Sequence, residues 1–336
     1  MASRFAHILD FVNAELKHRE AAAGDALTPS KYWLDYNQYS AYIRSLPDEE
    51  LAYIRRHTWH LTGDNYASYL SMTDRMRRKN IAQHAATLPR LDGFLPQEPP
   101  RGIGMDSPYG KISSGIMRYA VALADLYSSG HLARKGPRRM LEIGGGYGGL
   151  ALLCLQFNPE VSYLICDLEE SLFVQGVFLS QHLGEDRVKL VRGENGDVAA
   201  LQPGHVYLLP QWRAKVLEGM RFDIAINQQS MQEMTLAQVE RYCEILAQCA
   251  DRFYSSNRRS HGSHIVRDKG LIATLHQTLA GRFSVVWDST DHEPLLARLG
   301  LRYKVARKLL TAFGGERFVP TGEAGLRRFI YQCRAQ

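Results

Sequence analysis

Two kinds of hydrophobic pattern divide the chain. In the first third, apolar positions recur at the three- and four-residue spacing of amphipathic helices, as in residues 5–16. A segment rich in proline and glycine, residues 89–110, interrupts this pattern and marks the best candidate boundary. The pattern therefore predicts an N-terminal helical domain over residues 1–104 and a second domain over residues 105–336.

The helical part is rich in aromatic residues, which cluster between Tyr32 and Tyr42. Tyrosines at the edge of a helical core explain this cluster most simply, and a stacking surface for a substrate is the alternative. Residues 66–86 predict one further helix.

In the second domain, short apolar runs alternate with amphipathic segments. This alternation predicts a parallel sheet with helices on both faces, that is, an α/β, Rossmann-like, seven-stranded sheet with a late antiparallel strand. Residues 187–191 and 206–209 both have β character, and the pattern does not decide which of them is the third strand. The other predicted strands are residues 139–143, 162–166, 222–227, 252–256, 283–287 and 328–333.

The run MLEIGGGYGGL at residues 140–150 predicts a buried strand, a glycine turn and the start of a helix. Glycine lets a backbone approach a ligand closely, and the amide groups at a helix start point toward that ligand. The turn fits two templates. One is the dinucleotide fingerprint G-x-G-x-x-G, with Gly144, Gly146 and Gly149. The other is the acidic-x-G-x-G-x-G pattern of class I S-adenosylmethionine (SAM) methyltransferases, with Glu142, Gly144, Gly146 and Gly148; Gly145 lies in the same turn.

Two acidic residues favour SAM over a dinucleotide. Glu142 suits a sulfonium cation and repels a pyrophosphate. Asp167 directly follows the second predicted strand, at the distance from the glycine turn where a carboxylate accepts the ribose hydroxyls of a nucleoside. The competing interpretation is that Asp167 caps the next helix. Leu168, the next residue, is expected to contact the cofactor as well.

Further candidates follow the later strands, because the carboxyl ends of parallel strands line the ligand crevice. If residues 206–209 form the third strand, Gln211 is expected to face the adenine. If residues 187–191 form it, residues 193–195 are expected there instead. Asn227 and Gln228 end the fourth strand and are predicted at the cofactor, with Glu233 close behind at the reaction centre.

Composition narrows the class of protein. The formal net charge of +6 is mild for 336 residues, and the basic clusters are scattered, which argues against a nucleic-acid partner. No apolar run is long enough for a membrane span, and the N-terminus lacks the apolar core of a signal peptide. The five cysteines form no C-x-x-C pair, as expected of reduced thiols in a cytoplasmic protein.

Three segments carry a resemblance to a known family: LEIGGGYGGLA at residues 141–151, YLICDLEESL at 163–172 and INQQSMQEM at 226–234. With the lead-in DSPYG at 106–110, they resemble the bacterial family of predicted sugar O-methyltransferases. The resemblance covers roughly residues 105–260, and Glu169 stands where that family usually has proline. It implies a class I methyltransferase fold that transfers a methyl group from SAM to a hydroxyl of a sugar, in a surface glycan or a glycosylated metabolite. A methyltransferase of another small molecule and an NAD-dependent oxidoreductase are the alternatives.

Methyl transfer to an alcohol needs a general base within hydrogen-bond reach. Glu233 and His261 are the predicted catalytic residues, because both follow strand ends and histidine titrates in the useful range. Residues 288–293 contain four potential metal donors, but a solvated turn explains them better, and no metal is predicted. The sequence leaves the oligomeric state open, with a homodimer among the options.

Overall fold

The computed structural model describes residues 3–21, 27, 29, 31–192, 200–258, 279, 283–288 and 326–333. Its α-helices are α1 (Ala6–Ala21), α2 (Lys31–Arg44), α3 (Asp48–Leu51), α4 (Trp59–Thr62), α5 (Tyr66–Leu70), α6 (Asp74–Thr87), α7 (Ser114–Ser128), α8 (Gly149–Phe157), α9 (Glu169–Leu183) and α10 (Leu236–Cys249). Short 3-10 helices cover Ile54–His57, Leu88–Leu91, Glu185–Arg187, Gln211–Gly219 and Met231–Glu233.

The strands form a two-stranded hairpin and one large sheet. The hairpin comprises β1 (Met105–Ser107) and β2 (Gly110–Ile112). The large sheet comprises β3 (Arg138–Ile143), β4 (Val161–Asp167), β5 (Val188–Leu190), β6 (Val206–Pro210), β7 (Ile224–Gln228), β8 (Arg252–Arg258), β9 (Phe283–Asp288) and β10 (Leu326–Cys333). Its spatial order is β5-β6-β4-β3-β7-β8-β10-β9.

The strand order confirms the predicted Rossmann-like α/β class, with eight strands in place of seven. Both candidate third strands form: β6 pairs with β4 and is the third strand, while the short β5 extends the sheet beyond β6. Six strands from β5 to β8 run parallel, and β10 lies antiparallel between β8 and β9. The antiparallel β10 distinguishes this sheet from the usual dinucleotide-binding fold, whose strand order is 3-2-1-4-5-6.

The order in which strands are added to the sheet reverses at β3. The chain leaves β3 for β4 on one side and later returns to β7 on the other, so the crevice for a ligand opens at the carboxyl end of β3. Helix α8 starts there, directly after the glycine turn.

The N-terminal helices pack against the sheet domain in one continuous core. Phe5, directly before α1, and Ile8 and Phe11 of α1 belong to the same buried cluster as Leu152 of α8 and Phe178 of α9. The predicted domain boundary at residue 104 therefore stays a prediction. Apolar residues from both sides of it share one core.

The predicted helix over residues 66–86 is wrong in one respect, because two helices occupy it. Asn65 caps α5 by accepting a hydrogen bond from the Ala67 amide at 2.9 Å. Thr73 then caps α6, where its hydroxyl accepts from the Met76 amide. A side chain that caps a new helix start competes with continuation of the preceding helix. The helical pattern over residues 5–16 is confirmed as α1, which continues to Ala21.

None of the helices in the described ranges combines the length and apolarity needed to cross a bilayer. Four cysteines, Cys154, Cys166, Cys243 and Cys249, are buried free thiols.

Candidate cofactor cleft

The glycine turn between β3 and α8 has a backbone that suits only glycine at three positions. Gly144, Gly146 and Gly148 have φ angles of +75°, +58° and +88°, which residues other than glycine rarely adopt. A Cβ on Gly144 would also collide with the Ser230 hydroxyl, and one on Gly145 would lie 2.7 Å from Ile165. The turn is therefore a close-fitting backbone cradle at the centre of the sheet edge.

Asp167 sits at the end of β4 beside this cradle and lines the cleft. Its carboxylate accepts hydrogen bonds from the Gly145 amide (2.8 Å), the Gln175 amide group (2.7 Å) and the Leu168 amide (2.7 Å). Burial raises the pKa of Asp167 to about 6, against the effect of these hydrogen bonds. The carboxylate is thus ionised at neutral pH. A carboxylate has capacity for about four hydrogen bonds, so the residues that the structure describes leave one acceptor position of Asp167 unfilled.

Glu142 lies beneath the turn. It is 1% exposed, and its Oε2 accepts a hydrogen bond from the Tyr163 hydroxyl at 2.9 Å. Burial raises the pKa of Glu142 to about 8, so the side chain is largely protonated at neutral pH. Among the described residues Glu142 is not on the cleft wall. The predicted attraction between its charge and a sulfonium therefore finds no direct geometric basis.

The cleft is narrow and partly open to solvent: it encloses about 30 Å³, which is room for a few water molecules and less than the usual volume of a small-molecule pocket. Gln211 lies on its wall directly after β6 and donates a hydrogen bond to the Leu27 carbonyl. Leu168 lies on the wall next to Asp167. The described residues that line the cleft are Pro29, Trp33, Gly144, Cys166, Asp167, Leu168, Gln211, Ser230, Met234, Gln238 and Tyr242.

Asn227, at the end of β7, is fully buried and fully hydrogen-bonded within the protein. Its amide group donates to the Ile143 carbonyl (2.8 Å) and to Ser230, and its oxygen accepts from the Asn257 amide group (2.9 Å) and the Met231 amide (3.2 Å). These four bonds exhaust the capacity of an asparagine side chain. Asn227 thus fastens the end of β7 to the end of β3.

The neighbours of Asn227 face different environments. Gln228 is half-buried at the last position of β7. Gln229 has a φ angle of +60°, a strained conformation for a residue with a side chain and one that is enriched at functional sites. Ser230 lines the cleft and donates to the Ile143 carbonyl at 3.0 Å.

Of the two predicted catalytic residues, the structure describes one. Glu233 is half-buried in the 3-10 helix Met231–Glu233, and both Ser230 and Met234 beside it line the cleft. His261 lies outside the described residues, as do the potential metal donors of the segment 289–293. Within the described ranges no group of three metal-ligating side chains occurs.

The sequence did not reveal that the N-terminal segment contributes to the cleft. Pro29 and Trp33 line it, although the chain reaches β3 only about a hundred residues later. Ion pairs hold this segment in place: Arg19 of α1 contacts Glu170 of α9 at 2.9 Å, and Glu15 contacts Arg213 at 2.8 Å. Partners so distant along the chain leave no local pattern, so only the aromatic density of residues 32–42 hinted at this role.

Beside Arg19, Glu169 is fully buried at the start of α9. Burial raises the pKa of Glu169 to about 7, although the Arg19 guanidinium opposes the shift. The pairing of Glu169 with Arg19 ties α1 to the strand end that carries Asp167.

Comparison with known proteins yields matches in structure only. No family model and no curated protein matches the chain. Magnesium protoporphyrin IX methyltransferase from Synechocystis, determined with bound SAM, is 14% identical; the alignment covers 65% of this chain and 78% of that one, with a TM-score of 0.39.

Two further structures align in a similar way. TrmN from Thermus thermophilus is 13% identical over 66% of this chain and 49% of its own, with a TM-score of 0.39. The mitomycin 7-O-methyltransferase MmcR is 11% identical over 65% of this chain and 57% of its own, with a TM-score of 0.35. TM-scores this low do not support an argument about this chain. Its fold class therefore rests on its own strand order.

Proposed function

We propose that the protein is a SAM-dependent methyltransferase. The observation that carries the proposal is the placement of Gly144 of the glycine turn and an ionised carboxylate, Asp167, on one cleft at the carboxyl ends of β3 and β4. The cradle leaves no room for side chains, and the carboxylate offers an acceptor to ligand hydroxyls. Both features fit a nucleoside with a short polar tail.

Each cofactor-binding residue is assigned a specific role. The backbone of Gly144, Gly145, Gly146 and Gly148 contacts the amino acid moiety, and Asp167 accepts hydrogen bonds from the ribose hydroxyls. Leu168 and Gln211 contact the adenine from the adjoining wall. Gln228 faces the cofactor from β7, while Glu142 and Asn227 hold the strand ends in position. SAM, when bound, supplies an electrophilic methyl group.

We further propose that the acceptor is a hydroxyl of a sugar. The support is the resemblance of residues 141–151, 163–172 and 226–234 to the sugar O-methyltransferase family. Glu233 then serves as the general base: it takes the proton of the hydroxyl as the oxygen forms a bond to the methyl carbon and the sulfur–carbon bond breaks. An acceptor of another chemical class keeps the same cofactor site and replaces only this step.

Isothermal titration calorimetry with S-adenosylhomocysteine tests the cofactor, with NAD as the matched alternative. We expect saturable binding of S-adenosylhomocysteine and none of NAD. Binding of NAD alone would reject the proposal in favour of an oxidoreductase, although the antiparallel β10 between β8 and β9 opposes that class of fold.

The acceptor is tested separately, by transfer of radiolabelled methyl groups from SAM to two panels of compounds. One panel holds glycans and glycosylated metabolites, and the other holds aromatic and amine acceptors without sugars. Labelling confined to the second panel would retain the methyltransferase and reject the sugar.

A further inference from the structure

Tyr147 is the only residue of the run from Gly144 to Gly149 that has a side chain, and that side chain points into the protein. Its ring is fully buried. The ring packs edge-on against Phe178 at a centroid distance of 4.9 Å and lies near Tyr119 at 5.7 Å. Two glycines with positive φ angles, Gly146 and Gly148, flank it. The position of this ring therefore constrains the backbone on both sides.

The ring is packed so tightly that it also shapes the helix start. A Cβ on Gly149 would lie 2.5 Å from the Tyr147 ring and the same distance from Tyr119. A shift of the Tyr147 ring would consequently disturb the first turn of α8, which directly follows the glycine turn.

A guanidinium from the helical part of the chain lies over this ring. Arg55 belongs to the 3-10 helix Ile54–His57 and is 2% exposed. Its Cζ atom is 3.6 Å from the centroid of Tyr147, well within the range of a cation–π contact, which is strongest when both partners are shielded from water.

Four oxygen atoms hold the guanidinium in place. Its Nη2 is 2.7 Å from Oε1 of Glu98 and 3.6 Å from Oδ2 of Asp64, its Nε donates to Oε2 of Glu98 at 3.3 Å, and its Nη1 donates to Thr58 at 2.5 Å. Burial lowers the pKa of Arg55, but the carboxylates, chiefly Glu98, outweigh burial and raise it, so the side chain stays charged.

The two carboxylates connect Arg55 to the rest of the fold. Asp64 accepts from the Gly115 amide at the start of α7 (2.8 Å) and from the Tyr69 hydroxyl (2.6 Å). Glu98 accepts from the Ser113 hydroxyl at 2.5 Å. A buried ionic network thus runs from the N-terminal helices, through the proline-rich segment, to the ring that sits within the glycine turn.

We infer that Arg55 is a positioning residue of the glycine turn, which it holds in place by stacking on the Tyr147 ring. The helical N-terminal part thereby influences how tightly the cleft binds the proposed cofactor, SAM. The planar face of arginine is essential to this role, since lysine offers a point charge without a stacking plane. We expect the hydroxyl of Tyr147 to be dispensable, because this buried atom has no hydrogen-bond partner among the residues that the structure describes.

The first test uses the protein without ligand and so is independent of the proposed function. Hydrogen exchange followed by mass spectrometry is compared for wild type, Arg55→Lys, Tyr147→Phe and Arg90→Met, in peptides that cover residues 141–152. We expect exchange at the turn to accelerate at least about tenfold in Arg55→Lys, through loss of local protection, and to be unchanged in Tyr147→Phe. Arg90→Met is the matched control, because Arg90 also pairs with a buried carboxylate, Asp125, at 2.7 Å. We expect it to leave the turn unchanged.

The second test measures the Kd of S-adenosylhomocysteine and rests on the proposed function. We expect it to rise at least about tenfold in Arg55→Lys and to stay near the wild-type value in Tyr147→Phe and Arg90→Met. Absence of binding to wild type would reject the proposed function alone, and the exchange experiment would still decide the role of Arg55.

A double variant separates positioning from general stability. Arg55→Met strands the buried Glu98 carboxylate, which destabilises the fold, and Arg55→Met/Glu98→Gln removes that charge. We expect the double variant to regain melting temperature while its turn exchanges as fast as in Arg55→Lys. Recovery of slow exchange together with melting temperature, or wild-type exchange and Kd in a folded Arg55→Lys protein, would overturn the inference.

Discussion

The ends of β4 and β7 lie on either side of β3 and differ in how much hydrogen-bonding capacity they leave for a ligand. Asp167, at the end of β4, accepts three hydrogen bonds from the protein and keeps one acceptor position on a charged group that lines the cleft. Asn227, at the end of β7, spends all four of its hydrogen bonds inside the protein. The end of β4 keeps capacity for the ligand proposed above, whereas the end of β7 holds neighbouring parts of the sheet together.

This difference shows that a polar residue at a strand end is not by its position a binding residue. Both side chains are polar, buried and placed at the ligand edge of a parallel sheet. What separates them is the count of satisfied donors and acceptors, because a saturated group gains nothing from a ligand unless it first gives up an internal bond.

The largest expected effect comes from removing the Asp167 carboxylate. We expect Asp167→Ala to raise the Kd of S-adenosylhomocysteine about 100-fold, as loss of charge-assisted hydrogen bonds costs about 3 kcal/mol. Calorimetric titration measures the change. Asp186→Ala, which removes an exposed acid well away from the cleft, is expected to bind like wild type. Unchanged affinity in Asp167→Ala would place the nucleoside elsewhere.

A second variant tests the reacting side of the β7 end. Glu233→Ala is expected to lower the rate of methyl transfer about 100-fold, the usual contribution of a general base, and to leave the Kd of S-adenosylhomocysteine unchanged. Initial rates with radiolabelled SAM and an identified acceptor measure the first quantity. Glu240→Ala, an exposed change on α10, is the control. A loss of binding with retained turnover would exclude Glu233 as the base.

The next prediction tests whether Asn227 stabilises the fold through its four internal hydrogen bonds. We expect Asn227→Ala to lower the free energy of unfolding by about 2 to 3 kcal/mol, since its partners are left buried and unsatisfied. Denaturation in urea measures this change, with Gln248→Ala on the exposed face of α10 as the control. If Asn227→Ala were as stable as wild type and bound S-adenosylhomocysteine much more weakly, Asn227 would be a ligand-binding residue after all.

The smallest effect concerns pH. Burial raises the pKa of Glu142 to about 8, so the folded protein holds this proton more tightly than the unfolded chain does. The stabilisation is complete below the ordinary glutamate pKa and is lost as the pH rises toward 8. The shifts of Asp167, to about 6, and Glu169, to about 7, act in the same direction at lower pH.

Glu142→Gln should therefore flatten the fall in stability between pH 7 and 8, by at most about 1.4 kcal/mol. Melting temperatures measured by calorimetry from pH 5 to 9 report the slope. An identical slope in wild type and Glu142→Gln would mean that the carboxyl is ionised throughout this range.

Much of the fold could be predicted from the sequence, because short stretches carried their own signals. The strands β3 and β4 were placed within one or two residues, since each is an apolar run between polar boundaries. The sequence leaves the identity of the third strand open, because residues 187–191 and 206–209 both have β character. Pairing with β4 decided it, and pairing is a property of the assembled sheet.

Within the site, the sequence placed residues correctly at the strand ends but could not tell their roles. Glu142 was predicted as a charge for a cationic ligand, whereas burial leaves it largely protonated beneath the turn. Trp33 could be read only as one aromatic among several, yet it lines the cleft. Solvent exposure and hydrogen-bond saturation depend on neighbours that are distant in sequence.

By itself the sequence determined the glycine turn and the acid at the end of β4. Both are local: positive φ angles demand glycine at fixed positions, and an apolar strand that ends in aspartate delivers the carboxylate to the same edge. Only the tertiary structure decided that Asn227 is saturated, that the N-terminal segment forms part of the cleft, and that Arg55 lies over Tyr147. These contacts join residues many positions apart, so their energies depend on the packing of the whole chain and leave no periodic trace in the sequence.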